Sequence, residues 1–187
     1  MSVRDRLLVS AHALIETEGW AAVRMARIAE SAGVSRQTVY NEFGTKHGLA
    51  EQLALRELAR FLTLVRDRMA NADDIITGIR SACEAALLLG EESVLVRSVT
   101  GAGGDDDFLT ILTTESGEIV ETATAAVQQA VEEFYPPTGL TPDQLAVCVE
   151  AVVRWVLSAM TRPSKRPEET AADIGWLLGL ALRGASV

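Results

Sequence analysis

The sequence is poor in the side chains that carry catalytic chemistry. Its 187 residues include two histidines and two cysteines. Two histidines leave little for acid–base catalysis, and no Ser or Cys nucleophile stands in a motif beside a base. No glycine-rich cofactor loop is present either. We therefore expect a protein that is not an enzyme and that binds no cofactor.

Cysteine and acidic residues also fail to form a metal site. Cys83 and Cys148 lie far apart, without the short spacing of metal ligands, and both stand among apolar residues. We interpret them as small core residues and not as ligands or a disulfide. Three aspartates end the glycine-rich break at 101–107, and we interpret that break as a solvated loop or a helix start. We predict no metal site.

Uninterrupted apolar runs of membrane-spanning length, about 20 residues, are missing. The first 19 residues carry charges through their apolar stretch, which predicts an amphipathic helix and not a signal peptide. Apolar residues still make up 48% of the chain, which excludes disorder as the main state. We expect a cytoplasmic protein with no membrane partner.

Positive charge is scarce overall, but it is unevenly distributed. The formal net charge is -9. Residues 1–50 hold six Lys/Arg and five Asp/Glu, a net of +1, whereas residues 51–187 hold eleven and twenty-one, a net of -10. A DNA-reading end needs only a locally basic face, so the total does not exclude a DNA-binding protein. The small net of +1 predicts modest non-specific affinity for DNA.

Residues 28–49, IAESAGVSRQTVYNEFGTKHGL, have the pattern of a helix-turn-helix. Two short helical patterns are joined at 32–34, and another helix begins after Gly44. Gly33 can adopt the left-handed conformation that a tight turn requires, and Ser35 stands at the position of an N-cap. The second helix of such a motif can enter the major groove of DNA.

The first fifty residues resemble the DNA-binding domain of the tetracycline-repressor (TetR) family of bacterial transcription regulators. The resemblance is carried by Gly19, Trp20, Ile28, Ala29, Ala32, Gly33, Val34, Ser35, Thr38, Tyr40, Phe43, Lys46 and Leu49. The rest of the chain fits the family only in length and helical character. The family usually places Ser or Thr where Arg24 stands; arginine has no acceptor and cannot cap a helix, but it can reach a phosphate.

Helical periodicity predicts further helices along the whole chain. The predicted helices span 4–18, 24–31, 35–43, 45–69, 73–89, 91–100, 108–135, 141–160 and 168–183. We therefore predict an all-α fold of about nine helices with two domains. Residues 1–50 would form a three-helix DNA-binding domain with the helix-turn-helix, and residues 51–187 a helical effector-binding and dimerisation domain.

The predicted recognition helix buries Val39 and Phe43 on one face and leaves polar side chains on the others. Arginine can pair with guanine, glutamine and asparagine with adenine, and the threonine methyl group can contact thymine. The family resemblance implies phosphate or register contacts for Ser35, Thr38, Tyr40 and Lys46, and operator selection by Gln37 and Asn41. The predicted DNA-binding residues are Arg24, Ser35, Arg36, Gln37, Thr38, Tyr40, Asn41, Thr45 and Lys46.

The last two predicted helices are apolar on more than one face, so each needs two packing partners. One partner is their own domain, and the other is plausibly the same pair of helices in a second subunit. The predicted dimer interface comprises Val149, Val152, Val153, Val156, Met160, Trp176, Leu177 and Leu180. A membrane is the competing partner, but Glu150, Arg154, Asp173 and Arg183 argue against it.

An effector would bind between the helices of the second domain. The predicted pocket residues are Phe61, Leu62, Val65, Cys83, Leu87, Phe108, Leu112, Val127 and Trp155. Their apolar character favours a hydrophobic or amphipathic small molecule.

Two functions from different classes remain open at this stage. The first is a homodimeric transcription regulator, a repressor that a small effector releases from a pseudo-palindromic operator in double-stranded DNA. The second is a helical ligand sensor or protein-interaction module that binds no specific operator. Arg24 at the cap position and the small positive charge of residues 1–50 motivate the second.

Overall fold

The computed structural model describes residues 1–100, 110 and 117–184, and these residues form α-helices joined by short turns, with no strand among them. The prediction of an all-α fold is confirmed. The helices of the described residues are α1 (Val3–Glu18), α2 (Met25–Ala32), α3 (Arg36–Phe43), α4 (Lys46–Ala70), α5 (Ile75–Glu92), α6 (Val94–Thr100), α7 (Gly117–Phe134), α8 (Pro142–Thr161) and α9 (Pro167–Gly184).

The described chain divides into two compact units. The first contains Met1–Glu57 and the described part of Val94–Glu115, and the second contains Leu58–Ser93 and the described part of Ser116–Val187. The long helix α4 contributes its first residues to one unit and its last residues to the other. The segment that contains α6 thus belongs with the N-terminal helices, although it follows them by more than thirty residues in sequence.

Caps and glycines set the ends of the helices in the N-terminal unit. Ser2 and Asp5 form a reciprocal capping box at the start of α1, and the hydrogen bonds of this box lower the pKa of the Asp5 carboxyl. Gly33 ends α2 in the left-handed conformation at φ 67° and ψ 38°. The following residue, Val34, donates its N–H to the Ala29 carbonyl across this turn at 2.9 Å. The sequence-predicted turn therefore forms as a helix C-cap.

The core of the N-terminal unit brings the apolar faces of the first helices together. Leu7, Ala11 and Ile15 of α1 are buried, as are Ile28 of α2 and Val39 of α3. Trp20, in the short turn after α1, is 2% exposed. This core holds α3 by one side and leaves its opposite side in solvent.

The C-terminal unit has a separate core. Its buried members come from α4, α5, α7, α8 and α9. The largest of them include Met69, Ile79, Val120, Val131, Tyr135, Leu145, Ile174 and Leu178. Leu58, Leu62 and Val65 of α4 pack against this cluster. The cluster is therefore the hydrophobic centre around which these five helices assemble.

Tyr135 joins three elements of the C-terminal unit. Its hydroxyl donates a hydrogen bond of 2.6 Å to the carbonyl of Met69, at the end of α4. Gly78 of α5 leaves room for this hydroxyl, because a Cβ atom at residue 78 would lie 1.8 Å from it. Burial raises the pKa of Tyr135, so the hydroxyl stays protonated and remains a donor.

A second attachment connects α4 with the end of α7. The Arg66 guanidinium donates to a Glu133 carboxylate oxygen at 2.6 Å and lies 4.8 Å from the centre of the Phe134 ring. The hydrogen bond to Glu133 raises the pKa of Arg66. Both partners are about half exposed, so this ion pair is screened by solvent. Its role is to fix orientation more than to add stability.

Helix α9 packs closely against α5. Cβ atoms added at Gly175 and Gly179 would lie 3.5 Å from Arg80 and 3.4 Å from Ile76, respectively. The close approach that these two glycines permit is therefore made within one chain. The side of α9 that faces away from α5 carries Trp176, Leu177 and Leu180 and is exposed.

Helix α8 begins with a complete capping box between Thr141 and Gln144, with Pro142 at its first position. By length and composition alone it could cross a membrane, and only 22% of its most apolar window is buried within the chain. The helices of soluble cores meet the same criterion. Its exposed side carries the ion pair between Arg154 and Glu150 at 2.7 Å.

Candidate nucleic-acid interface

Helix α3 is held at its first residue by a side-chain cap. The Ser35 hydroxyl accepts the Thr38 backbone N–H at 3.1 Å, and the two hydroxyls lie 2.9 Å apart. Such a cap stabilises a helix by about 1 kcal/mol. Both residues were predicted to make phosphate or register contacts; the structure places them together at the start of α3, and their contacts with DNA stay predictions.

The exposed side of α3 is polar, with one aromatic ring. Arg36, Gln37, Tyr40 and Asn41 are all exposed, and Tyr40 retains 48% of its free surface. Arg36 forms no ion pair within the described residues. We define these four side chains as the reading face. An eight-residue helix is about 12 Å long, close to the width of the DNA major groove.

Two members of the reading face are hydrogen-bonded to each other. The Gln37 amide nitrogen donates to the Asn41 side-chain oxygen at 2.8 Å. These residues stand one turn apart, so the bond costs no backbone change. The pair presents one remaining amide oxygen and one amide nitrogen to solvent, which is the acceptor–donor combination that recognises adenine.

Glu42, an unfavourable neighbour for a phosphate, is turned toward α1. Its carboxylate lies 3.9 Å from the Arg4 guanidinium, which also lies 5.6 Å from the centre of the Phe43 ring. The acidic charge of α3 is thus compensated within the unit. Sequence reasoning did not identify this contact, since residues 4 and 42 are distant along the chain.

Lys46 has a more specific environment than a phosphate-binding lysine on a free surface. Its ammonium donates to the Trp20 carbonyl at 3.0 Å and lies 4.5 Å from the centre of the indole ring. Lys46 therefore positions the start of α4 against the turn that follows α1. Its contact with DNA stays a prediction.

The first turn of α4 contains a glycine, Gly48, whose role sequence reasoning missed. The Thr45 hydroxyl accepts the Gly48 N–H at 2.9 Å, which makes Thr45 the N-cap of α4. A Cβ atom at residue 48 would lie 2.3 Å from the Phe43 carbonyl oxygen. Only glycine fits this close approach. The signal in the sequence was a glycine in the first turn of a long helix, where it lowers helix propensity.

Arg24 stands at the start of α2 without capping it, as its lack of an acceptor predicts. Its guanidinium instead donates to the carbonyls of Ala21 and Val23, at 2.6 and 3.1 Å. The side chain is exposed and carries its charge at a helix N-terminus. Its contact with a phosphate stays a prediction.

The predicted dimer residues divide into two groups. Val149 and Val153 are buried in the core of their own unit, and Val152 and Val156 pack partly against it. Met160 is half-buried and lies 3.2 Å from the Cβ position of Gly90. Trp176, Leu177 and Leu180, in contrast, are 66%, 48% and 42% exposed on α9. Val147 of α8, which was not predicted, is 69% exposed.

Four of the predicted effector residues come together in the core of the C-terminal unit, where Leu62 and Val65 pack against the cluster that contains Cys83 and Val127. Cys83, Leu87 and Val127 are buried, and burial raises the pKa of Cys83 to about 12. Phe61, Leu62 and Val65 on α4 are half-buried. Trp155 of α8 is 37% exposed. Phe108 and Leu112 lie outside the described residues. No group of three or more metal-ligating side chains occurs in the described ranges.

Family comparisons cover most of the chain. A family model described as bacterial regulatory proteins, tetR family, matches residues 7–53, which include α2, α3 and their turn. A second, described as bacterial tetracyclin repressor, C-terminal domain, matches residues 74–179, more than half of the chain. The chain belongs to the TetR family. It is therefore a DNA-binding transcription regulator, and the resemblance read from its first fifty residues is confirmed.

A TetR-family relative extends this likeness over nearly the full length. The HTH-type transcriptional regulator AlkX of Mycobacterium tuberculosis is 30% identical over 177 residues, which make up 94% of this chain and 83% of the relative.

Solved TetR-family structures share the fold. The crystal structure of the repressor AlkX from a Dietzia species, implicated in the biodegradation of n-alkanes, has 27% identity and a TM-score of 0.82, covering 98% of this chain and 96% of that one. A TetR-family regulator from Pectobacterium atrosepticum has 19% identity and a TM-score of 0.71, with coverage of 97% and 93%, and shows the fold alone.

Proposed function

We propose that this TetR-family regulator is a homodimeric repressor whose reading face recognises a pseudo-palindromic operator. The observation that carries the proposal is the exposed polar side of α3, capped by Ser35 and packed from behind by Val39 and Phe43. Two such helices, about 34 Å apart in a dimer, would fit successive major grooves. Residues 1–50 would form the DNA-binding domain.

Each DNA contact follows from the chemistry of its side chain. Arg36 would pair with guanine, and the Gln37–Asn41 pair would read adenine. Ser35, Thr38, Tyr40 and Thr45, with the N–H groups at the start of α4, would contact phosphates. Arg24 would add a cation beside the backbone, and Lys46 would act mainly by fixing α4 against Trp20.

The dimer would form through the apolar sides of α8 and α9 that one chain leaves uncovered. Trp176, Leu177 and Leu180 line α9, while Val147 and Trp155 lie two turns apart on α8. Large apolar side chains that stay exposed together on a helix often mark a protein–protein interface. The same partner explains why α8 is apolar enough to resemble a membrane span, and it supports a cytoplasmic location with no membrane contact.

Residues 51–187 would bind a hydrophobic or amphipathic effector. The predicted pocket residues are apolar, and the Dietzia relative is implicated in n-alkane biodegradation, which favours an alkane-derived molecule. The effector must bind the DNA-released state more tightly than the DNA-bound state for release to occur. A coupling of about 1–3 kcal/mol would weaken operator binding about 5-fold to 150-fold.

A gel shift on DNA from upstream of the gene tests the proposal. The triple variant Arg36→Ala, Gln37→Ala, Tyr40→Ala should lose at least about 100-fold in specific affinity, since each base contact discriminates by about 1–3 kcal/mol. Its dimer mass and thermal unfolding should stay unchanged. Arg68→Ala, which removes an exposed charge far from α3 in sequence, is the matched control and should bind as wild type.

The alternative function, a ligand sensor without an operator, gives the opposite outcome. In that case the wild-type dimer would show no preference for the upstream DNA over an unrelated fragment at low salt. The triple variant would then behave as wild type.

A further inference from the structure

Glu42 is an acidic side chain close to the proposed DNA contacts. It is the one acidic residue of α3, and it stands next to Asn41 of the reading face and three residues before Thr45, the N-cap of α4. Its side chain is 32% exposed, so burial does not remove it from the surface. A carboxylate at this place would repel DNA phosphates unless a nearby cation neutralised it.

Arg4 of α1 supplies that cation. Its guanidinium lies 3.9 Å from the Glu42 carboxylate and 5.6 Å from the centre of the Phe43 ring. Within the described residues, Glu42 forms no other ion pair. One arginine thus contacts both the exposed acid and the buried ring at the end of α3.

Arg4 lies in the first turn of α1, where the helix itself does not favour a cation. Basic residues near a helix N-terminus oppose the helix dipole. The adjacent acid, Asp5, accepts the Ser2 backbone N–H at 2.9 Å, and neighbouring residues of a helix do not face each other. The contacts that account for the position of Arg4 are therefore those with Glu42 and Phe43.

The ion pair between Arg4 and Glu42 has its consequence in DNA binding and not in stability. Both side chains are partly exposed, so solvent screens the pair and it adds little to the free energy of unfolding. For an approaching phosphate, however, the pair presents no net charge, whereas Glu42 alone would present a negative one.

We infer that Arg4 is a positioning residue for DNA binding, which acts by neutralising Glu42 and not by touching DNA. The inference rests on the reading face proposed above and adds to it a residue of α1, outside the helix-turn-helix. Phosphates are present in every DNA sequence, so Arg4 raises the affinity for DNA in general and does not select the operator.

The test measures the affinity of the full-length protein, by fluorescence anisotropy, for the upstream DNA and for an unrelated fragment of equal length. Arg4→Met keeps an unbranched stem against Phe43 but removes the charge. It should weaken binding to both fragments about 3-fold to 10-fold, the size expected for one unpaired charge near a phosphate. Arg4→Lys keeps the charge and should bind both fragments about as wild type does.

Removal of the acid should restore what Arg4→Met loses. Glu42→Gln in the Arg4→Met protein should return both affinities to within about 2-fold of wild type, because no unpaired carboxylate is left. The matched control is Arg6→Met, at an exposed arginine of the same helix that does not share a side with Arg4. Glu42→Gln should not reverse any change that Arg6→Met causes.

Salt separates an effect of charge from an effect on the fold. Repulsion between Glu42 and phosphates is screened by ions, so the loss caused by Arg4→Met should shrink as the salt concentration rises. The melting temperature of Arg4→Met should stay close to that of wild type, since the pair is exposed.

Three results would overturn the inference. One is Arg4→Met binding both fragments as tightly as wild type. Another is a loss that Glu42→Gln does not reverse, which would mean that Arg4 touches DNA itself. The third is a loss that does not change with salt and accompanies a lower melting temperature, which would mean that Arg4 only holds the fold.

The two DNA fragments separate this inference from the proposed function. If wild type bound both fragments equally, and Arg4→Met lost affinity for both until Glu42→Gln restored it, the inference would be supported and operator recognition contradicted. If wild type preferred the upstream DNA and Arg4→Met bound like wild type, the inference would be overturned and the regulator left intact. Binding of neither fragment by wild type would overturn both.

Discussion

Helices α3 and α9 are built on the same plan but expose opposite chemistry. Each buries one apolar side, Val39 and Phe43 in α3, and Ile174 and Leu178 in α9. The other side of α3 carries Arg36, Gln37 and Asn41, whereas the other side of α9 carries Trp176, Leu177 and Leu180. Polar side chains are well solvated when no DNA is bound, so α3 can remain exposed. Exposed apolar side chains are unfavourable in water, so α9 needs a permanent partner. Under the proposed function, α3 would have a transient partner, DNA, and α9 a constant one, the second subunit.

The largest expected effect comes from making the exposed side of α9 charged. The double variant Trp176→Glu, Leu180→Glu should be monomeric, since each large apolar side chain contributes about 1.5–3 kcal/mol when fully buried, in each subunit. Specific operator affinity should fall by at least about 100-fold, because a dimer binds two half-sites. Light scattering and gel shifts measure the two quantities.

The matched control for this variant is Leu88→Glu. Leu88 is 44% exposed on α5, so it equals Leu180 in exposure but lies outside the proposed interface. It should remain dimeric. If the Trp176→Glu, Leu180→Glu protein stayed dimeric, α9 would not form the dimer interface and the proposed contrast with α3 would be wrong.

The next effect concerns Gly48, in the first turn of α4. Gly48→Ala places a Cβ atom 2.3 Å from the backbone oxygen of Phe43, and a backbone atom cannot move away cheaply. We expect a loss of about 2–4 kcal/mol in the free energy of unfolding. Gly117→Ala, with no atom within 4 Å of the added Cβ, should change stability by about 0.5 kcal/mol or less. Denaturant titration compares the two.

A smaller effect is expected at the turn between α2 and α3. Gly33 has φ 67°, where a Cβ atom costs about 1–2 kcal/mol. Gly33→Ala should lose that amount in unfolding free energy, and Gly33→Asn should lose less, since asparagine tolerates this conformation. Equal losses for the two variants would show that space and not backbone conformation limits the position.

The smallest expected effect is a difference in thiol reactivity between Cys83 and Cys148 in the folded protein. Burial raises the pKa of Cys83 to about 12, so at pH 8 its thiol is protonated and inaccessible. A thiol reagent should label only the half-buried Cys148 in the folded protein and both cysteines in denaturant.

The raised pKa of Cys83 also predicts the direction in which stability changes as the pH becomes alkaline. Above about pH 8.5 the thiol ionises in the unfolded chain before it ionises in the folded one. The contribution of Cys83 to stability should therefore fall as pH rises from there toward 12. Cys83→Ala should flatten that part of the stability curve measured by thermal unfolding.

The sequence predicted the N-terminal unit well because its features are local. A left-handed glycine at 33, a serine cap at 35 and two apolar residues one turn apart define the helix-turn-helix within a dozen positions. The contacts that were missed, Arg4 with Glu42 and Gly48 with the Phe43 carbonyl, depend on helix packing or on a close backbone approach. Packing between distant residues leaves no pattern in a single sequence, and a glycine early in a long helix does not show which atom it approaches.

The C-terminal helices were found, but their sides were not assigned. Val149 and Trp176 look alike in an apolar pattern, yet one is buried in its own core and the other is 66% exposed. Gly175 and Gly179 lie against α5, a contact that the apolar pattern of α9 does not identify. A helix that is apolar all round shows that it has two partners, but only the fold shows which side meets which.

The account's central claim is that the two α3 helices of a dimer bind one operator. Hydroxyl-radical footprinting of the upstream DNA with the wild-type protein tests this claim most directly. Two protected blocks about one helical turn apart, roughly 10 base pairs, are predicted, and both should disappear with the Arg36→Ala, Gln37→Ala, Tyr40→Ala variant. A single protected block, or blocks that persist in that variant, would contradict the account.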